Sequence, residues 1–148
     1  MLQQVKLSGA EAKQIWELSG GMRQRVGIAR ALAVRSKYLL MDEPFGALDA
    51  FTREQMQDLV LDLWQRHQTG FFLITHDIEE ALVLATNLVL MAPFPGRIID
   101  ELTPPFSQQR RAGKSFRQIK SDPAFIDMRE YLFTRLNAQD TAQYEVSI

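Results

Sequence analysis

Two adjacent acids, Asp42 and Glu43, close a short apolar run, Tyr38-Leu39-Leu40-Met41. A strand that delivers two carboxylates to its end can hold a cation, or can orient and deprotonate an attacking water. The residues alone leave open which acid does which. Upstream, Ser19-Gly20-Gly21 heads a helical pattern carried by Met22, Val26, Ala29 and Ala33. Ser19 can cap the free amides of the first turn, and the glycines carry no side chain to keep a ligand away from them. Free N–H groups and the positive end of a helix dipole favour an anion there, most naturally a phosphate. Asp49 stands where a further helix begins, a natural place for an N-cap aspartate. His76 closes a second apolar run, Phe71-Phe72-Leu73-Ile74-Thr75, and an imidazole can act as a charge sensor.

The elements that must position these groups follow from the same pattern. A helix over 20–34 leads into a strand at 38–42 that is apolar on both faces, as buried strands of parallel sheets are. In such sheets ligands sit beyond the carboxyl ends of the strands, where Asp42 and Glu43 lie. Pro44-Phe45-Gly46 makes a turn, and a helix over 50–67 presents Met56, Leu59, Val60, Leu63 and Trp64 on one face. The second strand, 71–75, is followed by Asp77-Ile78-Glu79-Glu80, which has the form of a capping box with Asp77 as N-cap and Glu80 at N3. Residues 88–92 and 97–102 predict a hairpin at the sheet edge, turning through Pro93-Phe94-Pro95-Gly96. Beyond Thr103 the composition shifts to Pro, Gln, Arg and Ser, which predicts a loop or linker. Asp122-Pro123 starts a last helix, with Phe125, Met128, Leu132 and Leu136 as its stripe down to about Asn137 and a frayed end over 141–148. Residues 1–16 predict only a short helical or irregular approach.

Composition narrows the function classes. The formal net charge is −1, which argues against a nucleic-acid binder even though five bases and no acid lie between Met22 and Met41. No aromatic residue interleaves those bases to stack on a nucleotide base. The absence of cysteine excludes disulfides, thiolate metal sites and cysteine nucleophiles. The longest uncharged run, 81–96, is broken by Thr86, Asn87, Pro93 and Pro95, so it predicts no membrane span. No secretory signal is visible at the N-terminus. Gly113-Lys114-Ser115 imitates the tail of a phosphate-binding loop, but Gln108 stands where the first glycine belongs and no strand leads into it.

Taken together, these stretches resemble the ATP-binding subunits of ABC transporters. Leu18–Met22 is similar to their signature loop, Tyr38–Glu43 to their Walker B strand, Ala47-Leu48-Asp49 to their D-loop, and His76 to their switch histidine. The wording Met-Arg-Gln-Arg-Val-Gly-Ile-Ala-Arg-Ala-Leu, with Asp-Glu-Pro-Phe-Gly-Ala-Leu-Asp-Ala-Phe-Thr-Arg-Glu, resembles the taurine/nitrate/sulfonate importer branch. So does the tail, through Ile119-Lys120-Ser121-Asp122-Pro123, Phe125 and Met128-Arg129-Glu130-Tyr131, which is most similar to its taurine importers.

That resemblance implies an α/β fold of the P-loop NTPase type, with residues 1–102 as the later part of the ATPase domain and 103–148 as linker and C-terminal helix. It implies ATP and Mg²⁺ as cofactors. Glu43 becomes the general base and His76 a γ-phosphate contact, the two catalytic candidates; Asp42 positions the metal. Ser19, Gly20, Gly21, Met22 and Asp49 become nucleotide-facing, with Arg23 and Gln24 nearby. Two subunits would pair head to tail on membrane permeases at the cytoplasmic face of the membrane, fed by a substrate-binding protein. Ser19, Gly20 and Gly21 would then serve the partner's ATP, while Asp42, Glu43 and His76 would serve the chain's own. The 148 residues contain no G-x-x-x-x-G-K-[ST] loop, so the expectation is a truncated cassette, with the Walker A half and the N-terminal β-subdomain absent, that is inactive and poorly soluble alone. The alternative is a non-catalytic interaction protein that pairs with an intact ATPase subunit.

Overall fold

A computed structural model describes residues 2–34, 36–67, 70–92 and 95–145. The chain divides into two compact units, Met1–Thr75 and His76–Ile148. Each is an α/β arrangement with its own two-stranded sheet.

In the first unit, two short 3-10 turns (Leu2–Val5 and Ile15–Glu17) lead to helix α1 (Gly20–Ala33). Strand β1 (Tyr38–Asp42), helix α2 (Ala50–His67) and strand β2 (Gly70–Ile74) follow. The strands pair in parallel, Leu40 opposite Phe72 and Asp42 opposite Ile74. Parallel strands need a crossover, and α2 supplies it. Its apolar stripe behaves as the spacing predicts: Met56, Leu59, Val60 and Leu63 are all buried, joined by Leu61 and Gln57. Trp64 is only half-buried. α1 packs on the Leu2–Val5 turn and on α2, burying Ile28, Ala29 and Leu32.

One expectation for β1 fails. Side chains alternate across a strand, and the two faces fare differently. Met41 is buried, but Tyr38 and Leu40 are 76% and 66% exposed, as are Phe72 (62%) and Ile74 (45%) on β2. Among the described residues β1 pairs only with β2. The strand has the apolar composition of a doubly covered sheet and cover on one face.

In the second unit, α3 (Ile78–Leu84) precedes the antiparallel strands β3 (Leu88–Ala92) and β4 (Arg97–Leu102). The predicted hairpin therefore forms, although residues 93–94 of its turn lie outside the described residues. It is not the edge of the β1–β2 sheet, since no strand pairing joins the two sheets among the described residues. Leu88 and Leu90, on its inner face, pack with Leu82, Val83, Phe106, Phe116, Ile119, Phe125 and Leu132 into a single core.

Three of those core residues come from the stretch expected to be a loop. Residues 103–121 carry two short helices, α4 (Phe106–Arg111) and α5 (Phe116–Lys120). Polar neighbours hid the apolar anchors: Phe106 and Ile119 are fully buried, and Phe116 nearly so. The Phe106 and Phe125 rings meet edge-on with centroids 4.9 Å apart, a favoured aromatic geometry. The Gly113-Lys114-Ser115 imitation has a structural use. Ser115 caps α5 by accepting from the Gln118 amide at 3.2 Å, while the Gln118 side chain accepts from the Ser115 amide at 2.8 Å. Asp122 starts α6 (Pro123–Glu145), accepting from the Ala124 amide at 3.1 Å. α6 runs past the expected stop near Asn137 because no glycine or proline interrupts residues 124–145. Of the expected frayed end, residues 146–148 lie outside the described residues.

Candidate functional site

The head of α1 is built as its sequence demands. Ser19 is in extended conformation, and its Oγ accepts from the Met22 amide at 3.3 Å. The Arg23 guanidinium turns back to the Leu18 carbonyl at 2.7 Å, which ties the first turn to the approaching chain. Arg25 reaches the Val5 carbonyl (3.4 Å) and the Gln55 side chain of α2 (3.1 Å). A cleft of about 360 Å³ opens here, lined among others by Ser19, Gly21, Met22, Lys6, Lys13 and Arg25. Its cationic rim suits an anion at a helix N-terminus.

The two glycines turn out to do different jobs. A Cβ added at Gly20 meets nothing within 4 Å, so its surface is open to a ligand. A Cβ at Gly21 would stand 2.7 Å from Cγ2 of Thr52. Gly21 is therefore glycine because α1 lies directly on the first turn of α2. Thr52 in turn donates its amide to Asp49 Oδ1 at 3.0 Å. Asp49 caps α2, and the hydrogen bonds from Thr52 hold its carboxyl below the usual carboxylate range. Thr52 thus joins Gly21 to Asp49. It was missed in the sequence because a threonine three residues into a helix has no signal of its own; Lys6 and Lys13 were missed because they precede the motif.

Asp42 and Glu43 lie together at the carboxyl end of β1, both exposed. The Glu43 amide donates to the Ile74 carbonyl at 2.9 Å, extending the pairing with β2 by one residue. Glu43 has φ +44°, a left-handed backbone that is costly for a residue with a Cβ, and it precedes a proline, which restricts it further. The Gly46 amide closes the turn on the Glu43 carbonyl at 3.5 Å, and Phe45 anchors it with no exposed surface. A strained residue pinned by its surroundings is characteristic of sites where a side chain must be aimed.

Among the described residues no three His, Asp or Glu side chains gather as a metal cluster. Mg²⁺ does not need one, since it takes one or two carboxylates and completes its shell with water and phosphate oxygens. A single exposed carboxylate at a strand end, as Asp42 offers, fits that donor set.

His76 belongs to the second unit. It lines a cleft of about 500 Å³ with Asp77, Ile78, Glu79, Arg129, Glu130 and Phe133. Asp77 caps α3 as expected, accepting from the Glu80 amide at 3.1 Å. The structure thus brings Ser19, Gly21 and Met22 together around Thr52 with Asp49, sets Asp42 beside Glu43, and holds His76 immediately before α3.

Comparison with known proteins agrees with this architecture. Residues 1–46 match the family model for ABC transporter domains. The taurine import ATP-binding protein TauB of Chromobacterium violaceum is 64% identical over 138 residues, which is 93% of this chain and 53% of that protein. The chain spans about half the length of the curated relatives it matches. Among solved structures, the ADP conformation of MJ1267, an ATP-binding cassette of an ABC transporter, superposes with a TM-score of 0.64 at 28% identity, covering 85% of this chain and 45% of that one. The dimeric post-hydrolysis state of the ATP-binding cassette MJ0796, bound to ADP and Pi, gives a TM-score of 0.56 at 32% identity, covering 69% and 43%. In sequence and in fold, this chain is similar to one part of the ATP-binding cassettes of ABC transporters.

Proposed function

We propose that the chain provides the signature and hydrolytic residues of the ATPase subunit of an ABC importer for taurine or a related sulfonate. The observation that carries this reading is the 64% identity, spread over 93% of the chain, to a protein named for taurine import. In this reading Ser19, Gly20, Gly21 and Met22 face the nucleotide held by a second subunit, with Asp49 at the same junction. Asp42 holds Mg²⁺, Glu43 orients and deprotonates the attacking water, and His76 meets the γ-phosphate. The metal supplies charge neutralisation at the phosphates. The chain's own part is to aim two carboxylates and an imidazole and to present open amides at a helix start. A head-to-tail pairing would give each end a use; the cassette MJ0796 bound to ADP and Pi is itself dimeric. The subunits would sit against permeases at the cytoplasmic face of a membrane; no helix among the described residues is long and apolar enough to cross one.

Two copies of these 148 residues hold no phosphate-cradling loop, so the purified chain is expected to show no ATPase activity. Hydrolysis by the chain alone, abolished by Glu43→Gln, would contradict this. The positive test joins the unmatched remainder of the Chromobacterium violaceum relative, in frame, to residues 1–148. The chimera should hydrolyse Mg-ATP, lose at least about 100-fold in kcat with Glu43→Gln, and restore taurine-dependent growth to cells lacking their own taurine ATPase. A chimera that binds ATP and never hydrolyses it would favour the second reading, a non-catalytic partner of an intact subunit. The uncovered face of the β1–β2 sheet is what recommends that alternative.

A further inference from the structure

Glu79 lies in the first turn of α3, three residues after His76. Both of its carboxylate oxygens are bound: Oε1 accepts from Nη1 of Arg129 on α6 at 3.1 Å, and Oε2 meets Nζ of Lys120 at the end of α5, also at 3.1 Å. A second guanidinium nitrogen of Arg129 is held by Glu130 at 3.0 Å. The three side chains of the clamp are each only about one-third exposed (35–37%). That sets them apart from the fully solvated pairs that contribute little. Burial pushes the Glu79 carboxyl up, but the hydrogen bonds and charges of Lys120 and Arg129 outweigh it and hold the group below the usual range.

α3 has seven residues, too few to be a stable helix without tertiary support. What fixes its first turn therefore fixes the chain entering it. Asp77 is locked to that turn by its cap on the Glu80 amide, and His76 is the next residue out. His76, Glu79 and Arg129 also line one cleft. We propose that Arg129 and Lys120, acting through Glu79, are positioning residues for His76, so that the C-terminal helices α5 and α6 set where the imidazole stands. This deepens the proposed function and rests on it, since His76 acts there on the γ-phosphate. It gives the C-terminal segment a role in hydrolysis.

Two measurements test it. In the hydrolysing chimera, Arg129→Ala and Glu79→Gln should each lower kcat about tenfold with KM for ATP unchanged within about twofold, and Arg129→Lys should recover most of the loss. In a His76→Ala background the same substitutions should add less than about twofold, because residues that act through one another are not additive. In the full chain, Arg129→Ala should move the His76 ring resonance of the folded protein and leave that of His67, the chain's other histidine, in place. A loss of equal size with and without His76, or an unmoved His76 resonance, overturns the positioning role. An unsubstituted chimera that fails to hydrolyse overturns the proposed function itself. An active chimera indifferent to Arg129→Ala overturns only this inference.

Discussion

Glu43 holds a backbone conformation that a glycine would adopt without cost. Its φ of +44° is worth about 1–2 kcal/mol of strain for a residue with a Cβ, partly offset in any Gly variant by the extra entropy of the unfolded chain. Glu43→Gly is therefore expected to raise unfolding stability by up to about 1 kcal/mol in urea titration while removing hydrolysis in the chimera. A variant that loses stability would show that the turn needs the carboxylate for its own folding. The glycines of α1 separate in the same way. Gly20→Ala enters open space and should be neutral or slightly stabilising. Gly21→Ala drives its methyl onto Thr52 Cγ2 at 2.7 Å and should cost about 1–3 kcal/mol. Thr52→Ser, which removes that methyl, should restore most of the loss; if it does not, the crowding lies elsewhere.

At the scale of the elements, α4 shows how a helix can hide in a polar stretch. Phe106 is fully buried against Phe125, so Phe106→Ala should cost about 3–5 kcal/mol and loosen the second unit, as read by hydrogen exchange in α4 and α6. The clamp on α3 should show a pH dependence. Because Glu79 is held below the usual range, its contribution is full above about pH 5 and is lost as pH falls through its lowered value. The stability gap between the wild type and Glu79→Gln, measured at neutral pH, should therefore close in acid. α1, β1, α2, β2 and the hairpin were legible in the sequence because each carries a clean period and a turn or cap at its boundary. The Ser19, Asp49, Asp77 and Asp122 caps were legible for the same reason. α4 and α5 were not, since helices of six and five residues that bury two residues each leave no period to read. Nor was the strain at Glu43, because no residue type announces a positive φ except glycine. The pairing of Gly21 with Thr52 is a tertiary contact with no local signature.

At the scale of the whole molecule, the open face of the first sheet matters most. Tyr38, Leu40, Phe72 and Ile74 lie exposed side by side across β1 and β2, and a contiguous apolar surface with unpaired strand edges drives association. The chain should self-associate at tens of micromolar by sedimentation velocity, the concentration range in which exposed strand edges aggregate. Leu40→Lys with Phe72→Glu, opposite each other in register, should return it to monomer; unchanged association would point to another surface. The small contact between Gly21 and Thr52 reaches this scale too. The start of α1 rests on the residue whose amide caps onto Asp49, so neither helix start can shift without the other. In the proposed pairing both starts look toward a neighbouring subunit and its nucleotide. Whatever free energy nucleotide contact at Ser19 lends to docking at Asp49, docking must return in equal measure to nucleotide affinity. A methyl group wedged under a glycine would then be a point of thermodynamic reciprocity between fuel and assembly.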